Sequence, residues 1–126
     1  MGMIGYVTLG INDLERAEEF YRPFMAELGA TVSRTTHKSI SWGKFGAGGG
    51  LSITKPFDGE LATVGNGSMV ALEARDHAHV DRLHALALSL GAKCEGPPGI
   101  RGSTFYGAYM RDPDGNKLCV YVMPTP

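Results

Sequence analysis

The chain predicts an α+β fold made of two copies of one βαβββ module, and three observations carry that reading. A pattern recurs: Val7-Thr8-Leu9-Gly10-Ile11 leads through Asn12-Asp13 into a helical stretch ending Leu28-Gly29-Ala30. Val70-Ala71-Leu72-Glu73-Ala74 leads through Arg75-Asp76 into another, ending Leu90-Gly91-Ala92. Aligned, Asp13 matches Asp76, Ala17 matches Val80 and Phe20 matches Leu83. The strand-like runs alternate apolar and polar residues, as half-buried strands do. Last, two β-type runs flank Asp112-Pro113-Asp114-Gly115, where Pro113 presets φ, Gly115 accepts a positive φ and Asp112 can bond the backbone ahead.

Each element follows from its residues. The first strand alternates Val7, Leu9 and Ile11 with Tyr6, Thr8 and Gly10, so the apolar set faces a helix and Tyr6 points away. Helix one lines up Leu14, Ala17, Phe20, Tyr21, Phe24 and Leu28, is capped by Asn12 or Asp13, and stops at Gly29. Pro23 lies inside that pattern and predicts a kink or break in the turn before it. Strands over 31–36, 39–45 and 51–54 complete module one (4–54). Residues 55–66, rich in Gly, Asp and Asn, form the linker.

Module two spans 67–122. Its first strand sends Val70, Leu72 and Ala74 to the helix, leaving Met69, Ala71 and Glu73 on the other side. Helix two, between Asp76 and Gly91, lines up Val80, Leu83, Ala87 and Leu90. Strands follow over 93–95, 104–111 and 117–122, with 96–103 read as a loop because of Pro97, Pro98, Gly99 and Gly102. In the last strand Leu118, Val120 and Val122 go to the helix, while Cys119 and Tyr121 point away.

Composition narrows the function. With 126 residues, 43% hydrophobic and 20% charged, the chain is one domain with a sizeable core. A net charge of −1 gives no electrostatic reason for nucleic acid or anionic lipid as partners. No apolar run approaches the ~18 residues of a membrane-spanning helix, and no secretory signal precedes Tyr6. Two cysteines, Cys94 and Cys119, are too few for a disulfide scaffold, so the expectation is a cytoplasmic protein.

Several motifs reduce to ordinary structure. His77, His79 and His84 are spaced two, five and seven apart rather than the four of helical zinc sites, and read as a solvated helix surface. Gly46-Ala47-Gly48-Gly49-Gly50 fails the G-x-G-x-x-G spacing and leads to no helix, so it reads as a turn. The run from Asp112 imitates a calcium loop, but Lys117 and Met123 hold the places of its Gly and Glu.

The residues together resemble one family. The opening run 7–17 with Phe20-Tyr21, Asn66-Gly67-Ser68, Pro98-Gly99-Ile100-Arg101 and the Asp-Pro-Asp-Gly hairpin occur in the order seen in the glyoxalase/bleomycin-resistance family, the vicinal oxygen chelate superfamily. The resemblance implies paired, curved mixed sheets around a cleft with helices outside. It also implies a catalytic metal held by His, His and Glu at inward strand positions. This chain has Tyr6, Met69 and Cys119 there, with Ser52 at a fourth related position. A neutral phenol, a thioether and one thiol are poor ligands for zinc or a hard divalent ion, so no metal and no cofactor is expected. Cys119 with Met69 could suit only a soft ion such as Cu(I), to which Tyr6 would add nothing.

Two functional readings follow. One is a metal-free protein that binds a small, partly aromatic or apolar molecule, lined by Tyr6, Ser52, Met69, Tyr109, Cys119 and Tyr121. Tyr109 sits where fosfomycin-resistance relatives place a substrate-contacting tyrosine, and hairpin register decides whether it or Tyr106 faces inward. Pairing Tyr109 with Cys119 selects Tyr109. Trp42, His37 and Arg101 are rim candidates, Arg101 for an anionic group. The alternative is a glyoxalase-type lyase or isomerase with Glu73 as the inward carboxylate. Cys119 as a nucleophile would need a neighbouring base or cation. Unpaired sheet edges and apolar surface also predict a homodimer, which light scattering at micromolar concentration tests; a monomer would count against it.

Overall fold

The computed structural model describes residues 3–43 and 48–124. In chain order they form β1 (Tyr6–Gly10), α1 (Leu14–Leu28), β2 (Thr31–Thr35), β3 (Ser39–Gly43), β4 (Gly50–Thr54), β5 (Val70–Glu73), α2 (His77–Ser89), β6 (Lys93–Arg101), β7 (Phe105–Arg111) and β8 (Lys117–Val122). Contacts divide them into two units, Met1–Gly65 and Asn66–Pro126, each running βαβββ.

The helix ends explain the repeat. Asp13 accepts from Arg16 N at 3.1 Å, and Asp76 accepts from His79 N at 2.7 Å, the same cap three residues ahead in both modules. Both Leu-Gly-Ala endings put the glycine in the left-handed region, Gly29 at φ 101 and Gly91 at φ 103. Ala30 N then bonds Met25 O, and Ala92 N bonds Ala87 O, closing each helix.

α1 is one continuous helix through Pro23, so of the expected kink or break the break does not occur. Pro23 lies on the exposed face, where the carbonyl it leaves without a partner can bond water. The buried face is Ala17, Phe20, Tyr21, Phe24 and Met25. Phe20 meets Tyr21 edge-on at 4.9 Å and stacks on Phe24 at 5.4 Å.

Each sheet is four-stranded and mixed, ordered β1-β4-β3-β2 and β5-β8-β7-β6. The parallel pairs are β1 with β4 and β5 with β8; the rest are antiparallel. In the first unit Ile40, Trp42, Leu51 and Ile53 are buried in register with one another, on the face that α1 packs against. In the second, Ala108, Met110, Leu118 and Val120 form the core with Val80, Leu83 and Ala87 of α2.

Two strands differ from the sequence expectation. The stretch 96–103 is not wholly a loop: β6 continues to Arg101, with register shifts at Cys94/Gly96 and Gly96/Gly99. β6 is an edge strand, and Pro97 and Pro98 fall between the paired residues, where no ladder donor is required. β3 ends at Gly43, and positions 44–47, predicted as strand end and turn, lie outside the described residues.

The closing hairpin is tied by Asp112. Its Oδ1 accepts from Asp114 N at 2.9 Å and Asn116 N at 2.8 Å, and its Oδ2 accepts from Asn116 Nδ2 at 3.0 Å. Gly115, at φ 95, donates to Asp112 O.

Candidate functional site

Strand alternation gives each sheet a second face, opposite its helix. On the first sheet this face carries a row across β2, β3, β4 and β1: Arg34, Ser41, Ser52 and Thr8. Ser41 Oγ donates to Ser52 Oγ at 3.0 Å, so Ser52, 8% exposed, is already engaged. Beside them Tyr6 is aligned with Gly50, and Tyr6 is 73% exposed. A Cβ on Gly50 would lie 2.9 Å from Trp42 O, so close backbone approach excludes a side chain there.

Trp42 is not a rim residue. It is 2% exposed and lies 6.0 Å from the Tyr21 ring, inside the core under α1. Trp42 shares a strand face with Ile40, not with Ser41, and Tyr21 of α1 covers that face. His37 is exposed in the turn between β2 and β3.

The second sheet's helix-free face gathers more chemistry. One row is Ala71, Cys119, Tyr109 and Gly96; the next is Glu73, Tyr121, Gly107 and Gly99. Tyr109 pairs with Cys119, while Tyr106 sits on the helix side and donates to Asp81 Oδ1 of α2 at 2.6 Å. The register therefore selects Tyr109 for this face. Phe105 stacks on Tyr121 at 5.3 Å with the rings 4° apart, over Gly107. Tyr109 lies between two cations, Arg101 at 4.9 Å and Lys117 at 5.5 Å from its ring centre. Met69 precedes β5 and is 45% exposed; Glu73 ends it and is also exposed.

Arg101 does not stand in a loop at a rim. It is the last residue of β6 and turns back along it, donating to Pro97 O at 2.7 Å, Gly99 O at 3.1 Å and Gly107 O. Its guanidinium serves one carbonyl in the irregular stretch of β6, that of Pro97, and two at the Gly99–Gly107 pair, so its N–H groups are largely committed before any anion arrives.

Cys119 is fully buried, and burial pushes its thiol up despite the opposing pull of Arg101, a hydrogen bond from Tyr109, and Lys117. It is a neutral thiol at pH 7. A cation stands near it, as a nucleophile would need, but desolvation outweighs that cation.

The histidines of α2 are not one solvated face. His79 is fully buried: its Nδ1 accepts from Arg75 N at 3.1 Å while its own N–H meets Asp76, a reciprocal cap. His77 stacks on Tyr106 at 3.9 Å. His84 is 7% exposed, and its Nε2 lies 3.3 Å from Cys94 Sγ. Among the described residues no three His, Cys, Asp or Glu side chains gather as a metal site would need. A groove of about 670 Å³ lies beside the start of α2, lined by Arg75, His77, Thr104 and Met123 among others, apart from the Tyr109–Cys119 row.

Burial pushes His84 below the ordinary 6.5, against the upward pull of Asp81. The unfolded chain then binds a proton more readily than the folded one. This contribution to stability is complete above about pH 6.5 and falls as the pH drops through the window below it. His84→Gln should flatten the acid limb of a Tm series between about pH 5 and 7. An unchanged limb would assign it to other groups.

Sequence reading missed Phe105 and Lys117. Both share strand parity with residues it did select, Tyr109 and Cys119, and that parity was the available signal. The Arg101 cap had none, because its acceptors are brought together by the pairing of β6 with β7.

Comparison with known proteins agrees with this architecture. Residues 3–120 match the Glyoxalase/Bleomycin resistance protein/Dioxygenase superfamily. The crystal structure of a glyoxalase/bleomycin resistance protein from Albidiferax ferrireducens T118 is 36% identical, with a TM-score of 0.90 over 98% of this chain and 100% of that one. A glyoxalase-related enzyme from Fulvimarina pelagi (21% identity, TM-score 0.77, 98% and 90% covered) has the same fold. So does a lactoylglutathione lyase from Agrobacterium tumefaciens (23%, 0.71, 97% and 94%). No curated protein matches the chain. Matched over nearly its whole length in sequence and backbone, the chain belongs to the glyoxalase/bleomycin resistance protein/dioxygenase superfamily.

Proposed function

We propose that the chain binds a small, partly aromatic or apolar molecule without a metal, against the helix-free face of its second sheet. The observation that carries this reading is the chemistry at the four positions that the family resemblance marks for metal ligation. Tyr6 is an exposed phenol, Met69 a thioether, Ser52 a hydroxyl bonded to Ser41, and Cys119 a buried neutral thiol. This donor set does not fit zinc, nickel or manganese, which take imidazole and carboxylate. The face instead offers flat contact area: the Phe105–Tyr121 stack and a Tyr109 ring polarised by Arg101 and Lys117. Such surfaces bind rings by stacking and by burial.

The test is elemental analysis of the purified protein with a thermal-shift screen of small aromatics. No stoichiometric divalent metal is expected, and at least one aromatic should raise Tm. Tyr109→Ala should weaken that ligand by roughly 1–3 kcal/mol. Stoichiometric zinc, nickel or manganese that survives mild chelation and disappears in Cys119→Ala would overturn the reading. We further propose a cytoplasmic homodimer: both cysteines are free thiols, and all five residues of edge strand β2 are exposed.

A further inference from the structure

A thiol and an imidazole meet on the helix side of the second sheet, away from the proposed ligand face. Cys94 stands near the start of edge strand β6 and is exposed, and its Sγ lies 3.3 Å from Nε2 of His84 on α2. Burial favours the neutral imidazole, and its Nδ1-protonated tautomer turns the Nε2 lone pair to the thiol proton. Asp81, one turn earlier on α2, is held by the Tyr106 hydroxyl at 2.6 Å and favours the imidazolium once it forms. From the sheet, β8 presents the apolar Leu118 and Val120 to this side, and β7 adds Tyr106 and Met110. The titratable groups tied to His84 by contact or charge are Cys94, Asp81 and, through Asp81, Tyr106. The other cysteine, Cys119, is buried on the opposite face of the sheet.

We propose that Cys94 is a thiol-modification site served by His84, open to exchange with small soluble disulfides. The Cys94 S–H proton passes to His84 Nε2, and Sγ attacks one sulfur of the disulfide. The old S–S bond breaks, and a mixed disulfide forms on Cys94. The departing thiolate then takes the proton from the imidazolium. The electron pair of the broken S–S bond leaves with the departing sulfur, so Cys94 Sγ is oxidised as that one sulfur is reduced to a thiol, and no other oxidant or reductant is needed. Because Cys119 lies on the far face of the sheet, no second thiol of the chain resolves the product.

The test follows the reaction of the folded 126-residue protein with the aromatic disulfide dithiobis-nitrobenzoate. One thiol should react rapidly at pH 7, and Cys94→Ser should remove that phase, leaving Cys119 to react only after denaturation. His84→Gln should slow the phase roughly tenfold or more, as loss of a general base does. In the wild-type protein the rate should rise with imidazole titration and level near neutrality, before free thiols ionise at about 8.5. An unchanged rate in folded His84→Gln, a fast phase surviving Cys94→Ser, or a wild-type profile with one rise through the free-thiol range would overturn the proposal.

Discussion

Trp42→Ala should destabilise the protein by about 3–5 kcal/mol, the range for truncating a buried aromatic. That is a large part of the ~5–15 kcal/mol that holds a domain of this kind folded, and Tm should fall by roughly 10–20 °C. The indole is 2% exposed, faces the Tyr21 ring and shares its sheet face with Ile40, Leu51 and Ile53. Removing it leaves a cavity between α1 and the sheet that backbone hydrogen bonding on β3 prevents from collapsing. Trp42→Phe should cost much less, because most of the ring volume remains. Urea unfolding followed by far-UV circular dichroism measures both. A Trp42→Ala protein of wild-type stability that has lost only ligand binding would return this residue to a site rim.

Asp112→Ala should cost about 2–4 kcal/mol by the same measurement. The carboxylate is 4% exposed and accepts from two backbone N–H groups and from the Asn116 amide. Truncation strands all three donors, the two of Asn116 buried and that of Asp114 part-buried, and stranding buried donors costs more than the net gain of making their bonds. Asp112→Asn keeps one acceptor oxygen and should lie between Ala and wild type. The hairpin sets the register of β7 against β8, so its loss loosens the pairing of Tyr109 with Cys119. A penalty for Asp112→Ala below about 0.5 kcal/mol would mean that the turn holds without its aspartate.

The sequence by itself determined the architecture. The two Asp-capped helices, the two Leu-Gly-Ala stops and the Asp-Pro-Asp-Gly turn are local devices: each acts within about five residues, and each is visible as residue type and spacing. Strand parity, also local, separated Val7 from Tyr6 and Leu118 from Cys119, and it placed Tyr109 opposite Tyr106.

What tertiary structure alone decided involves partners far apart in the chain. Trp42 is a core residue because Tyr21 of α1 covers its face of the sheet. Arg101 reaches carbonyls of both β6 and β7, which only the pairing of those strands brings together, and Pro97 and Pro98, which suggest a loop, are tolerated because that strand is an edge. Pro23 sits in an unbroken α1 because solvent, rather than a packed neighbour, lies beside the carbonyl it leaves unbonded. His79 and His84 are buried by the packing of α2 on the sheet, and only that packing brings His84 to Cys94, ten residues away across a helix stop. Helical and strand periods assign residues to faces, but what covers a face is set by contacts between elements, and those depend on the whole fold.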